Sequence, residues 1–573
     1  MDSALEVSLG QFSDKGRKAL NQDFHGAKLV KGSQRKSKGV ALAMADGISS
    51  SEVSQIASET AVKTFLDDYY CTSDAWSVQG AVERVLGSIN SWMYAQSMRG
   101  AARYDKDKGY VCTFSALLLK NKTAHIFHVG DTRVYRLNQQ GLEQLTHDHR
   151  LWVNEDKSYL SRALGMQEHC HFDYRKLSFS AGDIFIITTD GVYEYVNTQD
   201  IINTIERYSD DLNKAAEFIV GQAFAKGSKD NLSIQLLRVD AVEVNSNAQL
   251  KQQLANLKIA GLLEDRIDFE GYRIIRKIHA SSRSHVYLAK DINTSQKVVL
   301  KMPSVSSAAD AQYLEQFLLE EWVARRINSA HVLKAMVADR ERTYLYTVFE
   351  FVEGQTLAQW ALDNPQADIE TVRGIIEQIA KGLQAFHRSE MLHQDLRPEN
   401  IMIDLDGTVK ILDFGSVSVA GLQEAKSGTV HTYLQGTALY SAPEYFLGLP
   451  GSVKSDVFSL GVICYFLLSG RYPYGVDVAK CKSIAAQRKL SYRTVLSDES
   501  ELPNWVDDAI QKAVAVQSER RYEDMFEFLH DLRKPHKGFL KKRRRPLIEQ
   551  NPLLFWQGLC VVLSAVILLL VII

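Results

Sequence analysis

Apolar positions along residues 1–240 fall mainly into short runs that are typical of strands. Two longer stretches, 52–70 and 77–100, instead show the apolar spacing of helices. Because the strand and helix runs do not alternate regularly, the pattern predicts an α+β domain rather than a repeated parallel unit. The clearest strand runs are VALAMAD (40–46), FSALLLK (114–120), AHIFHVGD (124–131), DIFIITTD (183–190) and NLSIQLLRV (231–239).

The pattern changes after residue 240, where the chain becomes mostly polar and contains leucines spaced for one amphipathic helix. Strand-like runs return from Tyr272, and a helix-rich block follows to about residue 536. We therefore predict a first domain over 1–240, a linker over 241–268 and a second domain over 269–540.

The end of the chain is uniformly apolar. Residues 553–573 read LLFWQGLCVVLSAVILLLVII and carry no charge. A helix of that length would be about 31 Å long, close to the thickness of a bilayer core. We predict a basic juxtamembrane segment over 541–552, which begins KKRRR, and a transmembrane helix over 553–573. The basic flank would keep both domains on the cytoplasmic side. A buried core helix is the alternative.

Composition narrows the class of protein. A chain of 573 residues is long enough for several domains. Its net charge of −2 gives no reason to expect a nucleic-acid partner. The six cysteines are scattered and form no CxxC pair, so neither a disulfide framework nor a zinc site is predicted.

The string HQDLRPEN (393–400), followed by DFG (413–415), carries the chemistry of the second domain. Phosphoryl transfer needs a carboxylate that orients the acceptor hydroxyl and oxygen ligands for Mg²⁺ close by. Asp395, Asn400 and Asp413 supply that set. Loop acids that only cap turns are the structural alternative.

Further motifs accompany this string in a fixed order. Lys301 ends the strand run VVLK, and Glu320, in the helical run FLLEEWVARRI, is its best carboxylate partner, with Glu321 as the second choice. GTALYSAPE (436–444) follows DFG. From about Tyr272 to Leu540 the chain resembles the eukaryotic-like Ser/Thr protein kinases.

The resemblance implies a bilobal kinase fold that uses ATP and Mg²⁺. It makes Asp395 the catalytic base, Arg397 its charged neighbour, and Asn400 and Asp413 the Mg²⁺ ligands. Lys301, paired with Glu320, would clamp the ATP phosphates. Phe349 would gate the adenine pocket, and the nucleotide hinge would run from Glu350 to Val352. The remaining matches are Thr437 in the activation segment, the ion pair of Glu444 with Arg521, and the helix-start anchor Asp456.

Two departures from the family pattern stand out. The glycine-rich nucleotide loop falls on His279–Ser284, where all three glycines are replaced. Glycine at such positions lets main-chain amides approach phosphates closely. Gln394 replaces the arginine that binds an activation-loop phosphate, which bears on Ser427, Thr429 and Thr432 as phosphorylation sites. A kinase-like scaffold that binds nucleotide or partners without transferring phosphate is therefore the alternative.

The first domain places acids at the ends of several strand runs. They are Asp23, Asp46, Asp131, Asp190 and Asp230. Hard divalent cations prefer several carboxylate oxygens, and a pair of ions about 3.5–4 Å apart can activate water at neutral pH. A single Asp-Gly is a common hairpin turn, whereas five acids at successive strand ends point to a metal site.

These acids lie in the strings NQD, MADG, VGDTRVYRL, LSRALG, GDIFIITTDGVYE and SKDNLSI, and residues 7–239 resemble the PPM-type metal-dependent protein phosphatases. The resemblance implies a β-sandwich flanked by helices that binds Mn²⁺ or Mg²⁺. Asp46 would bridge two ions and Gly47 would bind through its carbonyl. Asp190 and Asp230 would bind one ion, Asp23 would act through water, and Asp131 would serve a third, weaker ion.

Three details of the first domain stay open. The phosphate-gripping cation falls on either Arg17 or Lys18, and His25 is either a proton donor or an incidental surface histidine. Residues 146–164 are short where relatives carry a longer flap, so we expect an open cleft that selects phosphoproteins loosely.

Taken together, the patterns predict a bifunctional enzyme, anchored by residues 553–573 in a membrane, in bacteria the inner membrane. The second domain would phosphorylate Ser/Thr in protein substrates, and the first would remove phosphate from phospho-Ser/Thr. No nucleic-acid partner is expected.

Overall fold

The computed structural model describes residues 5–99, 105, 108–154, 157–242, 257–308, 310–336, 340, 342–423, 438–496, 502–536, 555–559 and 563. The chain divides into two compact units. One is formed by Met1–Ala255 with Val419–Gly428, and the other by Asn256–Ser418 with Thr429–Ile573.

The first unit contains twelve described strands and six described helices. Its strands are β1 (Glu6–Asp14), β2 (Asp23–Lys28), β3 (Val40–Asp46), β4 (Phe114–Lys120), β5 (Thr123–Val129), β6 (Arg133–Asn138), β7 (Gly141–Gln144), β8 (Arg150–Asn154), β9 (Lys157–Leu160), β10 (Asp173–Ser178), β11 (Ile184–Thr188) and β12 (Leu232–Ala241). Its helices are α1 (Gly32–Lys38), α2 (Ser54–Cys71), α3 (Val78–Arg99), α4 (Asp190–Tyr193), α5 (Thr198–Arg207) and α6 (Leu212–Ala225).

Two antiparallel five-stranded sheets form the centre of this unit. Their strand orders are β1-β12-β11-β6-β7 and β10-β5-β4-β3-β2. A core between the sheets draws on both, with Leu42 and Leu117 from one and Phe185 and Leu237 from the other. Helices α2 and α3 cover the outer face of one sheet, and α4, α5 and α6 cover that of the other. The predicted β-sandwich flanked by helices is confirmed.

Strand β3 explains why the sandwich has apolar layers on both sides. Successive side chains of a strand point to opposite faces. Val40, Leu42 and Met44 pack into the core between the sheets, while Ala41, Ala43 and Ala45 pack beneath α2 and α3. A continuous apolar run is what a strand buried on both faces requires.

The second unit begins with strands and continues mainly with helices. Its described strands are β13 (Asp268–Phe269), β14 (Tyr272–Ala280), β15 (Ser284–Asp291), β16 (Lys297–Pro303), β17 (Thr347–Glu350), β18 (Gly354–Thr356), β19 (Met391–Leu392), β20 (Ile401–Asp404), β21 (Val409–Ile411) and β22 (Ser418–Val419). In chain order its helices, with α10 on the segment that groups with the first unit, are α7 (Ala311–Ala324), α8 (Leu357–Asp363), α9 (Ile369–Arg388), α10 (Ala420–Gln423), α11 (Val453–Ser469), α12 (Ile484–Gln487), α13 (Asn504–Ala513) and α14 (Met525–Arg533).

Strands β13 to β17 form one antiparallel sheet in chain order, and α9 packs against α11 and α14 in the helical part. Helix α9 buries the positions expected of an amphipathic helix, including Val372, Ile376, Ile379 and Leu383. Helix α11 is buried almost throughout, and it delivers Asp456 in its first turn. The predicted strand-rich part followed by a helix-rich part is confirmed, as a kinase fold requires.

The predictions for the linker and the chain end fall largely outside the described residues. Residues 243–256 of the linker and all of 541–552 are not among them. Of the predicted transmembrane helix, only residues 555–559 and 563 are described. Within the described part of the chain, no helix combines the length and the apolar character needed to cross a bilayer.

Candidate active sites

An ammonium shared by two carboxylates lies at the centre of the second unit. Lys301 Nζ, on β16, donates to Glu320 Oε1 and Oε2 at 2.8 Å each and to Asp413 Oδ1 at 3.1 Å. Burial alone would lower the pKa of Lys301, but Asp413 and Glu320 raise it above the usual range. Lys301 lowers the pKa of Asp413, whereas burial raises that of Glu320 to about 7. One cation thus balances only one of two carboxylates.

The structure separates Glu320 from its neighbour Glu321. One helix position turns a side chain by about 100°, so the two glutamates face different surroundings. Glu321 pairs instead with Arg325 and with Arg342, whose Nη2 donates to Oε1 at 2.7 Å. Glu320, the first choice from the sequence, is therefore the glutamate that lies beside Lys301.

The loop after α9 holds the predicted acceptor-orienting acid. Asn400 Nδ2 donates to the main-chain oxygen of Asp395 at 3.0 Å and to its Oδ2 at 3.2 Å. Arg397 Nε lies 3.8 Å from the same Oδ2. Burial raises the pKa of Asp395 to about 7, although Arg397 opposes this. Leu412 N donates to Asn400 O at 2.7 Å, which ties this loop to the segment carrying Asp413.

Asp456 anchors the same loop from beneath. Its carboxylate accepts the main-chain N–H groups of His393 and Gln394 at 3.0 and 3.1 Å and lies 2.8 Å from His387 Nε2. Gln394 adopts a left-handed conformation with φ of 65°, and Asp413 does so with φ of 56°. Such strain in non-glycine residues persists where the surroundings fix it and is common at functional loops.

Glu444 and Arg521 form the predicted buried ion pair. Arg521 Nη1 and Nη2 each donate to one oxygen of Glu444 at 2.7 Å, and the arginine side chain is 0% exposed. Ser455 Oγ adds a hydrogen bond of 2.6 Å to the same carboxylate. The pair joins the segment that follows the activation loop to the end of the helical part.

The predicted hinge residues are only partly free to touch a nucleotide. Phe349 and Val352 are both buried. Glu350 Oε1 accepts from Lys410 Nζ at 2.8 Å and from Lys334 N at 3.0 Å. The main-chain N–H of Glu350 donates to Lys334 O at 3.0 Å. Both the carboxylate and the N–H of Glu350 are therefore committed to protein contacts.

The glycine-free segment His279–Ser284 forms a turn between β14 and β15 that hydroxyl groups hold in place. Ser281 Oγ accepts from Ser284 N at 3.0 Å. Ser304 N donates to Arg283 O at 2.8 Å. Three hydroxyls after β16 also donate to this turn, those of Ser304 and Ser306 to Ser282 O and that of Ser307 to Arg283 O. Side-chain hydrogen bonds thus shape a loop that the family pattern builds from glycine. Thr437 and the candidate phosphorylation sites Ser427, Thr429 and Thr432 lie outside the described residues.

The first unit gathers its acids at the ends of strands. Asp46 ends β3 and faces Asp23, which begins β2. Thr189 Oγ1 donates to Asp23 Oδ2 at 2.9 Å, while the buried Asp23 Oδ1 has no hydrogen-bond partner among the described residues. Burial raises the pKa of Asp23 to about 6. Burial, with the carboxylates of Asp23 and Asp190, raises the pKa of Asp46 well above its usual range.

The remaining acids lie in the same neighbourhood. Asp190 begins α4 directly after β11, and burial with the charges of Asp131 and Asp230 raises its pKa to about 7. Burial raises the pKa of Asp131 although Arg150 opposes it. Each of the five predicted acids therefore lies close enough to act on the pKa of at least one other acid of the set.

Two side-chain cations already balance part of this charge. Lys18 pairs with Asp230, and its Nζ donates to Ser49 Oγ at 2.7 Å. Arg150 pairs with both Asp131 and Asp190. Arg17, in contrast, lies over the Phe224 ring at 5.3 Å. Of the two candidate phosphate-gripping cations, Lys18 is the one at the acids.

Within the described part of the chain, no three His, Cys, Asp or Glu side chains are grouped so that they could enclose one metal ion. Lys18 and Arg150 tie Asp230, Asp131 and Asp190 into ion pairs instead. The donor set still fits hard divalent ions, because its buried carboxylates repel one another and Asp23 Oδ1 faces no donor among the described residues.

Gly47 has a packing reason to be glycine beside the acids. A Cβ there would lie 2.7 Å from Ser54 O. Its main-chain N–H donates to Gln22 O at 3.1 Å, which holds the predicted carbonyl ligand next to Asp46. His25 lies on β2 and is half-buried rather than a surface histidine, and burial lowers its pKa.

The sequence reasoning missed three residues of this site. Thr189 bonds Asp23, and Arg150 and Glu194 bond each other at 2.8 Å between Nη1 and Oε1. Glu194 is four residues after Asp190 on one helical run, a spacing that places both on one face and could have revealed it. Arg150 carries no such signal, because its place follows only from the β8–β9 hairpin, which lies in the segment 146–164 that was expected to be a shortened flap beside an open cleft.

Comparisons with known proteins divide the chain in the same way. Residues 272–532 match the protein kinase domain model, and residues 13–226 match the protein phosphatase 2C model. The Ser/Thr-protein kinase PrkC of Bacillus subtilis is 30% identical over 258 residues, which cover 44% of this chain and 38% of PrkC. The Ser/Thr-protein kinase PknL of Mycobacterium bovis is 33% identical over 227 residues, which cover 39% of this chain and 55% of PknL.

Among solved structures, a serine/threonine phosphatase of S. agalactiae aligns with 41% of this chain and 100% of its own, at 21% identity and a TM-score of 0.36. The chain thus spans between 38% and 55% of the length of the two kinases that it matches. One polypeptide thus matches the protein phosphatase 2C model first and the protein kinase model second, and the two units are called the phosphatase and kinase domains after these matches.

Proposed function

We propose that this protein is a bifunctional enzyme that phosphorylates Ser/Thr in proteins with its kinase domain and removes phosphate from phosphoproteins with its phosphatase domain. The observation that carries the proposal is the placement of Lys301 between Glu320 and Asp413, together with the hydrogen bonds that join Asp395 to Asn400.

In the kinase domain, Lys301 would bind the ATP phosphates while Glu320 fixes its position. Asp395 would accept a hydrogen bond from the acceptor hydroxyl and orient it for attack, and Arg397 would balance its charge. Asn400 and Asp413 would hold Mg²⁺, and the main chain from Glu350 to Val352 would hold the adenine.

In the phosphatase domain, Asp46, the carbonyl of Gly47, Asp190 and Asp230 would hold Mn²⁺ or Mg²⁺, with Asp23 acting through water and Asp131 serving a third ion. Lys18 would bind the phosphate of the substrate. When bound, divalent ions in both domains neutralise phosphate charge, and in the phosphatase domain they lower the pKa of a water molecule.

A nucleotide-binding scaffold without phosphotransfer is the second candidate, and the glycine-free turn His279–Ser284 favours it. Incubation of the full chain with labelled ATP, Mg²⁺ and a protein substrate separates the two. Asp395→Asn should lower incorporation by about 100-fold or more, as loss of a catalytic base does. Asp406→Asn, in the exposed turn after β20, is the matched control and should incorporate as the wild type does. Equal incorporation by all three proteins would establish the scaffold.

Hydrolysis of a phosphopeptide in Mn²⁺ tests the other activity. Asp46→Asn removes a charge at the point where β2 and β3 meet, and we expect at least about a 100-fold loss. Asp67→Asn breaks only an exposed pair with Lys28 and should leave the rate unchanged. Retained hydrolysis in Asp46→Asn would reject the phosphatase assignment.

We also propose that residues 553–573 anchor both domains to a membrane, supported by their uncharged sequence and the basic run before them. Tethering would raise the effective concentration of both domains on shared substrates. Deleting residues 553–573 should move the protein from the membrane fraction to the soluble fraction, and unchanged sedimentation with membranes would contradict the anchor.

A further inference from the structure

Arg150, the first residue of β8, places its guanidinium among three carboxylates of the phosphatase domain. Its Nε donates to Asp131 Oδ2 at 2.6 Å, its Nη2 to Asp190 Oδ2 at 2.7 Å and its Nη1 to Glu194 Oε1 at 2.8 Å. Each nitrogen serves a different carboxylate, and the arginine side chain is only 13% exposed. Charge-assisted hydrogen bonds of this kind are among the strongest that side chains form.

The residue before Arg150 is fixed to the turn that carries Asp131. His149 N donates to Gly130 O at 2.7 Å, and Gly130 N donates back to His149 Nδ1 at 3.0 Å. His149 Nε2 lies 2.9 Å from Asp173 Oδ2. Gly130 has φ of 111°, and a Cβ there would lie 2.5 Å from Thr113 Cβ. The base of the β8–β9 hairpin is therefore built onto the acid site.

Asp131 and Asp190 are two of the acids that the proposed function assigns to divalent ions. Their Oδ2 atoms cannot hold both a guanidinium and an ion, because the two cations would repel each other at contact distance. Binding of one must weaken binding of the other by the same factor, whichever is added first.

We propose that Arg150 competes with a divalent ion for the carboxylates of Asp131 and Asp190 in the phosphatase domain. The guanidinium occupies Asp131, Asp190 and Glu194 until an ion takes the carboxylates of Asp131 and Asp190. Displacement of the guanidinium then removes one of the contacts that hold the first residue of the β8–β9 hairpin, beside those of His149. The inference rests on the proposed phosphatase function for the identity of the ion. Arg150 is thus a positioning residue, and it sets the metal concentration at which an ion binds these carboxylates.

Titration of the full chain with Mn²⁺ alone, with free Mn²⁺ measured by electron paramagnetic resonance, tests this without any turnover. Arg150→Gln keeps a polar side chain but removes the charge, so it should tighten the weakest Mn²⁺ site by about fivefold or more. Arg150→Lys keeps a cation without the fork of donors and should fall between the two. Arg136→Gln breaks a comparably buried pair with Asp183 away from the acids and should bind Mn²⁺ as the wild type does.

Hydrogen exchange gives a second readout on the same proteins. Mn²⁺ should speed exchange in a peptide that contains Arg150 and Leu151 in the wild type, and Arg150→Gln should exchange fast already without Mn²⁺. Equal or weaker Mn²⁺ binding by Arg150→Gln, or absence of a weak site in every protein, would overturn the inference. Failure of the wild type to hydrolyse phosphopeptide at saturating Mn²⁺ would reject the phosphatase function instead, since the binding difference is measured independently.

Discussion

The acid sites of the two domains balance their charge in different ways. In the kinase domain, one buried ammonium, Lys301, lies between Glu320 and Asp413 on elements of the core. In the phosphatase domain, the cations come from the loop after β1, with Lys18, and from the β8–β9 hairpin, with Arg150. Each arrangement leaves carboxylates in excess, and a surplus of buried negative charge is what a divalent ion relieves.

The difference shows in the pKa values of the acids. Lys301 lowers the pKa of Asp413, so that this carboxylate is ionised before any metal arrives. Burial and the carboxylates of Asp23, Asp190, Asp131 and Asp230 raise the pKa of Asp46 well above its usual range. The kinase site therefore contains a buried cation of its own, whereas in the proposed function a divalent ion at the phosphatase site must displace side chains or protons.

The sharpest way to break this comparison is to remove the permanent cation. Lys301→Met leaves Glu320 and Asp413 buried without an ammonium, and kcat/KM for ATP should fall about 100- to 1,000-fold. Lys297→Met, an exposed position on the same strand, is the control and should lie near the wild type. Steady-state kinetics at saturating protein substrate measures both. A Lys301→Met protein with unchanged kinetics would remove the distinction between the two sites.

The third cation–carboxylate pair, Glu444 with Arg521, has a structural role, so its removal should change stability rather than catalysis. Glu444→Gln leaves the fully buried Arg521 without its partner and should cost about 3–5 kcal/mol of unfolding free energy. Glu523→Gln breaks an exposed pair with Lys454 and should change stability by about 0.5 kcal/mol or less. Urea unfolding of the full chain, read by hydrogen exchange in kinase-domain peptides, gives both values.

The stability that the Glu444–Arg521 pair contributes should depend on pH, in a direction set by the pKa shift of Glu444. Burial favours the protonated form of Glu444, but Arg521 outweighs it and holds the pKa of Glu444 below its usual value of 4.5. The stabilisation is therefore complete above pH 4.5 and disappears as the pH falls through the lower folded-state value. The difference in unfolding free energy between the wild type and Glu444→Gln should become smaller in that pH range. A constant difference would show that lost packing, not lost charge, destabilises the variant.

A smaller effect is expected when Lys301 is kept but loses the carboxylate that fixes its position. Glu320→Gln removes the carboxylate that fixes Lys301 and should lower kcat by up to about 100-fold, as a misplacement near 1 Å does. Glu321→Gln, one residue further, affects the pairs with Arg325 and Arg342 and should act on stability alone. Equal rate losses in both variants would mean that the helix as a whole, and not the Lys301 contact, controls the rate.

The smallest effect is expected for Lys18, to which the proposed function assigns the phosphate of the substrate. Lys18→Met should raise KM for a phosphopeptide about tenfold with little change in kcat, since tenfold corresponds to about 1.4 kcal/mol. Arg17→Met removes a cation that lies over Phe224 and should leave KM unchanged. A larger loss in Arg17→Met than in Lys18→Met would reverse the assignment made from the contacts of these two residues.

Local patterns were enough to predict both domains and the acids. Strand β3 reads as an uninterrupted apolar run that ends in Asp46, and the structure buries both of its faces. The motif HQDLRPEN places Asp395 and Asn400 on one short loop, where the structure joins them by a hydrogen bond. Lys301 and Asp413, which are 112 positions apart, were indicated only by the ordered kinase motifs.

Contacts of residues that lie outside these motifs could not be predicted in the same way. Arg150 reaches Asp190 across 40 positions, and three hydroxyls after β16 hold the glycine-free turn. Neither contact leaves a periodic or spacing signal in the chain. Both contacts depend on the length of the side chains and on the geometry of the hairpins, which only the folded sheet defines.

The double burial of β3 has a consequence for how this phosphatase domain can change. A one-residue slip of that strand would exchange its leucine and methionine side chains with its alanines and displace Asp46 at the same time. Insertions or deletions within residues 40–46 should therefore be lost from any library selected for folding alone, without a screen for catalysis.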